Sequence, residues 1–228
     1  MYTYALIKTP ETALELPPGL VGDLEMVATE KLAAITEPKL SPTKMEALVQ
    51  DDGLLEQAYI HYGVVVCDLF AKTTILPLKF YHCFGDRRAL EDHLTTHQER
   101  YLKTLNSLEG KGEYILKAFP KALELPPLDK EQKGKAYFMA KKQRYQQQQE
   151  CQNQQEAQWE KLTDQILALY PAAIIPEPQD EKRQLFWLGE KDGRSDLEKK
   201  LITWQELCPD WELNLSDPIP PYDFLDSI

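Results

Sequence analysis

Apolar positions along the chain recur first with strand spacing and then with helix spacing, and this cycle runs twice. Tyr2 to Lys8 mixes aromatic and β-branched residues and stops before Pro10, which predicts an N-terminal strand. Leu24 to Ala28 and Leu32 to Ile35 read as two more short strands. Ser41-Pro42 followed by Glu46 has the layout of a helix entry with proline at the first position, and apolar residues then recur through Leu55, Ala58, Tyr62 and Leu69. That predicts helix over 42–70, with a break near Asp52-Gly53. Thr73 to Phe80 is β-rich, but Pro77 lacks the N–H a ladder needs, so the segment is expected at a sheet edge or a bulge. From Asp86 to Glu109, Leu90, Leu94, Tyr101, Leu105 and Leu108 keep one apolar stripe and Gly110 supplies a stop. These elements make a first α+β domain over 1–110.

The second cycle, 111–228, opens with a strand from Glu113 to Phe119 and passes the proline-rich Pro120 to Pro127. A very long polar helix is predicted from about 130 to 170. Strand-like Ala172 to Ile175 and Gln184 to Leu188 follow, then a helix from Ser195 to Leu207 and a strand from Trp211 to Leu215. In the last of these, Trp211, Leu213 and Leu215 alternate with Glu212, Asn214 and Ser216, as in a strand with one face exposed. The order β-α-β-β-α-β is ferredoxin-like, and the chain as a whole is of the α+β class.

The long helix carries nine glutamines between Gln143 and Gln158. Its apolar stripe, followed back from Leu169 through Ile166, Leu162 and Trp159, meets Gln155, Gln152 and Gln148 at positions that should be apolar in a core. The core is expected to end there. A helix of about 40 residues is about 60 Å long, far beyond the ~20 Å of a typical strand, so part of it must project or pack elsewhere.

Composition narrows the function classes. A net charge of −11 repels nucleic acid and anionic lipid. Six bases crowd one stretch (Lys130, Lys133, Lys135, Lys141, Lys142 and Arg144), whereas the last 28 residues hold six acids and no Lys or Arg. The four cysteines, Cys67, Cys83, Cys151 and Cys208, are far apart with no C-x-x-C pair, which fits a reducing, cytoplasmic setting. The N-terminus lacks a signal-peptide layout, and no apolar run is long enough to span a membrane.

Motifs for chemistry are sparse. His93 and His97 sit four apart on one predicted helix, the spacing that lets two imidazoles face one metal. The intervening order is Leu-Thr-Thr rather than Glu-x-x, and no third ligand is marked by spacing. Gly110-Lys111 is followed by Gly112, position 105 is leucine and position 115 isoleucine, so neither a phosphate loop nor a dinucleotide fingerprint is present. No Gly-x-Ser-x-Gly elbow occurs. Cys83 beside His82 suggests a thiol pair, but neighbours on a strand point to opposite faces. No catalytic, cofactor or metal residue is assigned.

Two segments stand apart. Leu76-Pro77-Leu78-Lys79-Phe80 is apolar, stiff and ends in charge; Pro218-Ile219-Pro220-Pro221-Tyr222-Asp223-Phe224 is a proline and aromatic tail that loses little entropy on docking. Together with Glu113-Tyr114, Lys117 and Gly134-Lys135-Ala136-Tyr137-Phe138, these segments in this order resemble the gas vesicle protein F/L family. That family has a Leu-Pro-Leu-Arg-Phe-Gly-type strand, a Glu-Trp-type strand, a Gly-x-x-Tyr-Leu helix start and a C-terminal Gly-Pro-Trp-Pro-Pro-Tyr-x-Phe. Tyr81 stands where glycine is usual, and Asp217 and Ile219 replace the tail's glycine and tryptophan.

The resemblance implies an accessory or minor component of gas vesicle assembly, cytoplasmic or shell-associated, with no enzymatic activity and no cofactor. Its implied partners are the small hydrophobic shell protein A and other accessory vesicle proteins. The residues singled out as partner-contact or family-motif positions are Leu76, Pro77, Lys79, Phe80, Tyr137, Pro220, Pro221, Tyr222 and Phe224. The competing reading is a metal- or small-molecule-dependent enzyme on a ferredoxin-like scaffold, which requires a polar pocket near His61, His82, His93 and His97.

Overall fold

The computed structural model describes residues 1–123, 134–178 and 181–225. They fall into two compact units. The first comprises Met1–Glu113, Gly189–Lys191 and the described residues from Pro218 onward; the second comprises the described residues of Tyr114–Leu188 and Asp192–Asp217. The C-terminal tail, expected to close the second domain, therefore belongs to the first unit. Backbone pairing explains the change: Ile219 bridges Glu113 through two N–H···O bonds of 2.9 Å.

In the first unit β1 (Tyr2–Lys8), β2 (Glu25–Ala28), β3 (Leu32–Glu37) and β4 (Ile75–Pro77) form an antiparallel sheet in the order β2-β3-β1-β4. β1 and β3 are buried on both faces from Tyr2 to Ile7 and from Leu32 to Glu37, as central strands covered on two sides must be. β4 takes the edge, where the missing N–H of Pro77 costs no ladder bond.

The helix predicted over 42–70 is two helices, α1 (Pro42–Val49) and α2 (Asp52–Lys72). Ser41 caps the first, and the Asp51 carboxylate restarts the second by accepting from the N–H groups of Gly53 and Leu54 at 3.0 and 3.1 Å. The single helix predicted from 86 to 109 is likewise two, α3 (Arg87–Thr96) and α4 (Gln98–Ser107). At the joint the Thr95 and Thr96 hydroxyls bond back to the carbonyls of Glu91 and Asp92, a pattern that bends helices. α2 presents Tyr62, Val65, Val66 and Leu69 to a core shared with Tyr2, Tyr4, Ile7, Ile35 and Ile75.

The second unit contains most of β5 (Lys111–Pro120), then α5 (Lys135–Leu169), β6 (Arg183–Glu190), α6 (Arg194–Leu207) and β7 (Trp211–Leu215). Its sheet has the order β6-β5-β7, and Ala118 of β5 lies opposite Leu213 of antiparallel β7. The strand predicted over 172–175 is reduced to one bridge, Ile174 to Phe186. Pro171 and Pro176 bracket it and supply no N–H to extend the ladder. With that bridge at the far edge, the succession is the ferredoxin-like one with its second strand vestigial. Trp187 lies at the centre of this core, with ring centroids 6.0 Å from Tyr114, 5.4 Å from Tyr170 and 6.0 Å from Trp204.

α5 has 35 residues, about 52 Å of helix. Its predicted beginning near 130, with Lys130 and Lys133 of the basic cluster, lies outside the described residues. Trp159, Leu162 and Ile166 are buried, and so is Gln155, one turn beyond the expected end of the core. Its side-chain amide donates to the carbonyls of Lys121 and Asp210 at 3.0 and 3.2 Å. Among the described residues no helix is long and apolar enough to cross a membrane.

Candidate interaction surface

The edge strand of the first unit builds the most unusual surface. Leu78 still donates its N–H to Tyr4, and Thr3 donates to the carbonyl of His82, so β1 is followed on both sides of an excursion that spans residues 79–81. The excursion is a turn closed by the His82 N–H on the carbonyl of Lys79 at 2.9 Å. Such a turn with a positive φ at its third residue ordinarily takes glycine. Here that residue is Tyr81, with φ 80, the one non-glycine residue among those described that lies in the left-handed region. The strain is about 1–2 kcal/mol.

Phe80, at the second turn position, packs inward on a ring cluster. Its centroid lies 5.3 Å from Tyr59, 5.5 Å from Tyr62 and 6.4 Å from Tyr2. Tyr81 lies tilted against Phe80, with ring centroids 4.3 Å apart, and is 43% exposed. Beneath them the Tyr62 hydroxyl donates to the carbonyl of Leu78, and burial raises the phenols of Tyr2, Tyr4 and Tyr62 well above their ordinary value. They remain neutral at physiological pH. The same helix exposes Leu54, Tyr59, Ile60 and Val64, large apolar side chains directed away from the core.

The tail is held by Glu113. The Ile219 bridge brings the chain round so that the Asp223 N–H donates to Glu113 Oε2 at 2.9 Å, while Glu113 itself is fully buried. Pro220 and Pro221 are buried, Phe224 is half-buried and Tyr222 is partly exposed. Burial raises the Tyr222 phenol, and the groups bearing on it next are Tyr62, Cys67 and Tyr59 of α2.

Of the residues singled out in sequence, Leu76 and Pro77 are buried in β4 opposite Leu6 and Ala5, Lys79 is exposed and Phe80 is half-buried. They share the first unit with Pro220, Pro221, Tyr222 and Phe224. Tyr137 lies near the start of α5 in the second unit, its ring 6.2 Å from that of Phe138. Tyr59, Tyr81, Ile60, Val64 and Glu113 were not singled out. Tyr59, Ile60 and Val64 had a signal: α2 is apolar on more of its circumference than one buried face requires.

Three of the four histidines, His82, His93 and His97, form a row of tilted rings with Phe84. The rings of His93 and His97 are 4.5 Å apart, and Phe84 lies between those of His82 and His93 at 5.0 Å from each. His93 Nε2 is 2.7 Å from the Tyr101 hydroxyl, and burial, with His97 beside it, lowers its pKa. Among the described residues no three His, Cys, Asp or Glu side chains converge as a metal site.

Two solved structures share this fold. The crystal structure of gas vesicle protein GvpF from Microcystis aeruginosa matches with a TM-score of 0.66 at 13% identity, over 98% of this chain and 97% of that one. That of GvpF from Anabaena sp. PCC7120 matches with a TM-score of 0.68 at 12% identity, over 99% and 95%. No curated protein sequence matches the chain. Residues 1–226 fit the family model for gas vesicle synthesis protein GvpL/GvpF, and the chain belongs to that family.

Proposed function

We propose that this chain is an accessory, minor structural protein of gas vesicle assembly that binds the hydrophobic shell protein A, and other accessory vesicle proteins, to keep it from aggregating or to nucleate the shell. It acts by binding, without catalysis or cofactor, first in the cytoplasm and then at the vesicle wall. The observation that carries the reading is the set of large apolar side chains that α2 exposes, Leu54, Tyr59, Ile60 and Val64, with Ile60 and Val64 one turn apart on the side away from its buried residues, on a chain of net charge −11. A protein that must capture an aggregation-prone apolar subunit needs apolar contact area on a body whose charge keeps it soluble.

Co-expression with shell protein A tests this. Soluble shell protein should co-purify with the wild-type chain, and less of it with a doubly substituted Ile60→Ser, Val64→Ser chain that keeps its melting temperature. Shell protein that stays in the pellet whether or not the chain is present would overturn the proposal. Gas vesicle fractionation with and without a surface wash locates the chain at the wall.

A further inference from the structure

The ring of Tyr81 is a ridge between two hollows of the first unit. On one side a hollow of about 460 Å³ is lined by Leu55, Tyr59 and Phe80 together with the carboxylates Asp52 and Glu56. On the other a hollow of about 230 Å³ is lined by Pro42, Met45, Val49 and Cys83 with Glu46 and Gln50. Three carboxylates and no Lys or Arg line the pair. The larger hollow thus sets three aromatic rings, with Tyr59 and Tyr81 both on Phe80, beside two acids. Ring faces and carboxylates both attract a cation, and apolar walls desolvate it enough for the attraction to count.

The backbone supports a purpose for the ridge. Glycine would make the Lys79–His82 turn without strain, but would take away the ring that lies against Phe80 and lines both hollows. Strain at a surface position where a ring is held out between two concavities marks a binding feature better than a packing one.

We infer that the Tyr81 ridge docks an apolar protein segment bearing a single Lys or Arg. The cation enters the Tyr59–Phe80–Tyr81 hollow between Asp52 and Glu56, and a neighbouring apolar side chain enters the Met45–Val49 hollow. Charge complementarity selects this occupant over a purely hydrophobic one. The inference rests on the reading that the chain binds an apolar partner, and it assigns that binding a site and a charge requirement.

The test uses two short fluorescein-labelled peptides, one with an arginine flanked by leucines and one with citrulline in its place, titrated against the full chain by anisotropy. The arginine peptide should bind about tenfold tighter than the citrulline peptide. Asp52→Asn with Glu56→Gln should abolish that ratio. Tyr81→Gly should weaken the arginine peptide about tenfold while leaving the melting temperature unchanged or higher, because glycine relieves the turn. Equal affinities for the two peptides, or full affinity in Tyr81→Gly, overturn the inference. Capture of shell protein A by the wild type and all these variants alike would leave the proposed function standing and remove this site. Failure of the wild type to capture it would remove the function, with the peptide ratio still deciding the site.

Discussion

Glu113 Oε2 accepts the N–H of Asp223 at 2.9 Å, joining the start of β5 to a residue 110 positions further along the chain. The carboxyl is fully buried, its other oxygen has no hydrogen-bond partner, and burial followed by the neighbouring Asp223 carboxyl pushes its pKa up to about 8. At neutral pH Glu113 is therefore mostly protonated in the folded chain.

That arrangement makes stability depend on pH with a definite sign. Unfolded, the Glu113 carboxyl titrates near 4.5; folded, near 8. The contribution is fully present below the lower value and is lost as pH rises through the upper one, by at most about 1.4 kcal/mol per pH unit between them. Chemical denaturation at several pH values should show that decline, and Glu113→Gln, neutral throughout, should flatten it. An equal slope in both proteins would show that the tail contact is not what titrates.

Gly112 sets how closely the tail can approach. A Cβ there would lie 2.9 Å from both the Phe70 ring and the Pro218 ring and 3.4 Å from the Ile219 carbonyl. Neither ring has a flexible end to swing away, and Phe70 also carries Lys191 Nζ over its face at 3.7 Å. Gly112→Ala should therefore cost about 1–3 kcal/mol and speed hydrogen exchange at Ile219 and Asp223 ahead of the sheet amides. Uniform exchange throughout the first unit would mean that the substitution destabilises the unit without loosening the tail first.

How much of this could be read beforehand depended on whether the cause was local. Strand β1, the Asp51 break and the tryptophan stripe of α5 are set by nearest neighbours, and they were legible. The break at His97 was not, because the threonines that bend the helix look like its polar face. The Lys79–His82 turn was hidden because its third residue is a tyrosine where turn chemistry asks for glycine. The Glu113 contact joins residues whose meeting depends on the whole chain trace, and the tail was accordingly assigned to the wrong unit. Gln155 sat in a glutamine-rich run that gave no reason to bury one member and expose the rest.

Gln155 supplies a test of that burial. Its side-chain amide is the donor to two carbonyls, while its backbone carbonyl, which alanine keeps, accepts from Trp211 Nε1 at 2.8 Å. Gln155→Ala takes the amide donor from the Lys121 carbonyl and leaves the Asp210 carbonyl only its bond from the Lys121 N–H, and should cost about 1–3 kcal/mol, whereas Gln152→Ala, exposed one turn away, should be close to neutral. Equal melting temperatures for the two variants would show that the amide bonds contribute nothing.

Glu37 is the other buried acid among the described residues, and its bonding is the opposite of that at Glu113. One oxygen accepts from Tyr4 Oη at 2.7 Å and the Leu20 N–H at 2.9 Å; the other accepts from the N–H groups of Val21 at 2.5 Å and Gly22 at 2.8 Å. Three consecutive backbone donors thus wrap one charge, and the loop before β2 is organised around it. Glu37→Gln turns an amide NH₂ toward the Leu20 N–H or toward those of Val21 and Gly22, so at least one bond becomes donor against donor even if the Tyr4 hydroxyl turns to accept, and the remaining N–H bonds lose the carboxylate's charge. The expected loss is about 2–4 kcal/mol, with faster exchange at Leu20, Val21 and Gly22. Tyr4→Phe removes only one of the four and should cost about 1 kcal/mol. If the two variants melted together, the wrapped charge would not be what orders the loop, and its packing against Leu24 and Leu40 in the same core would have to be.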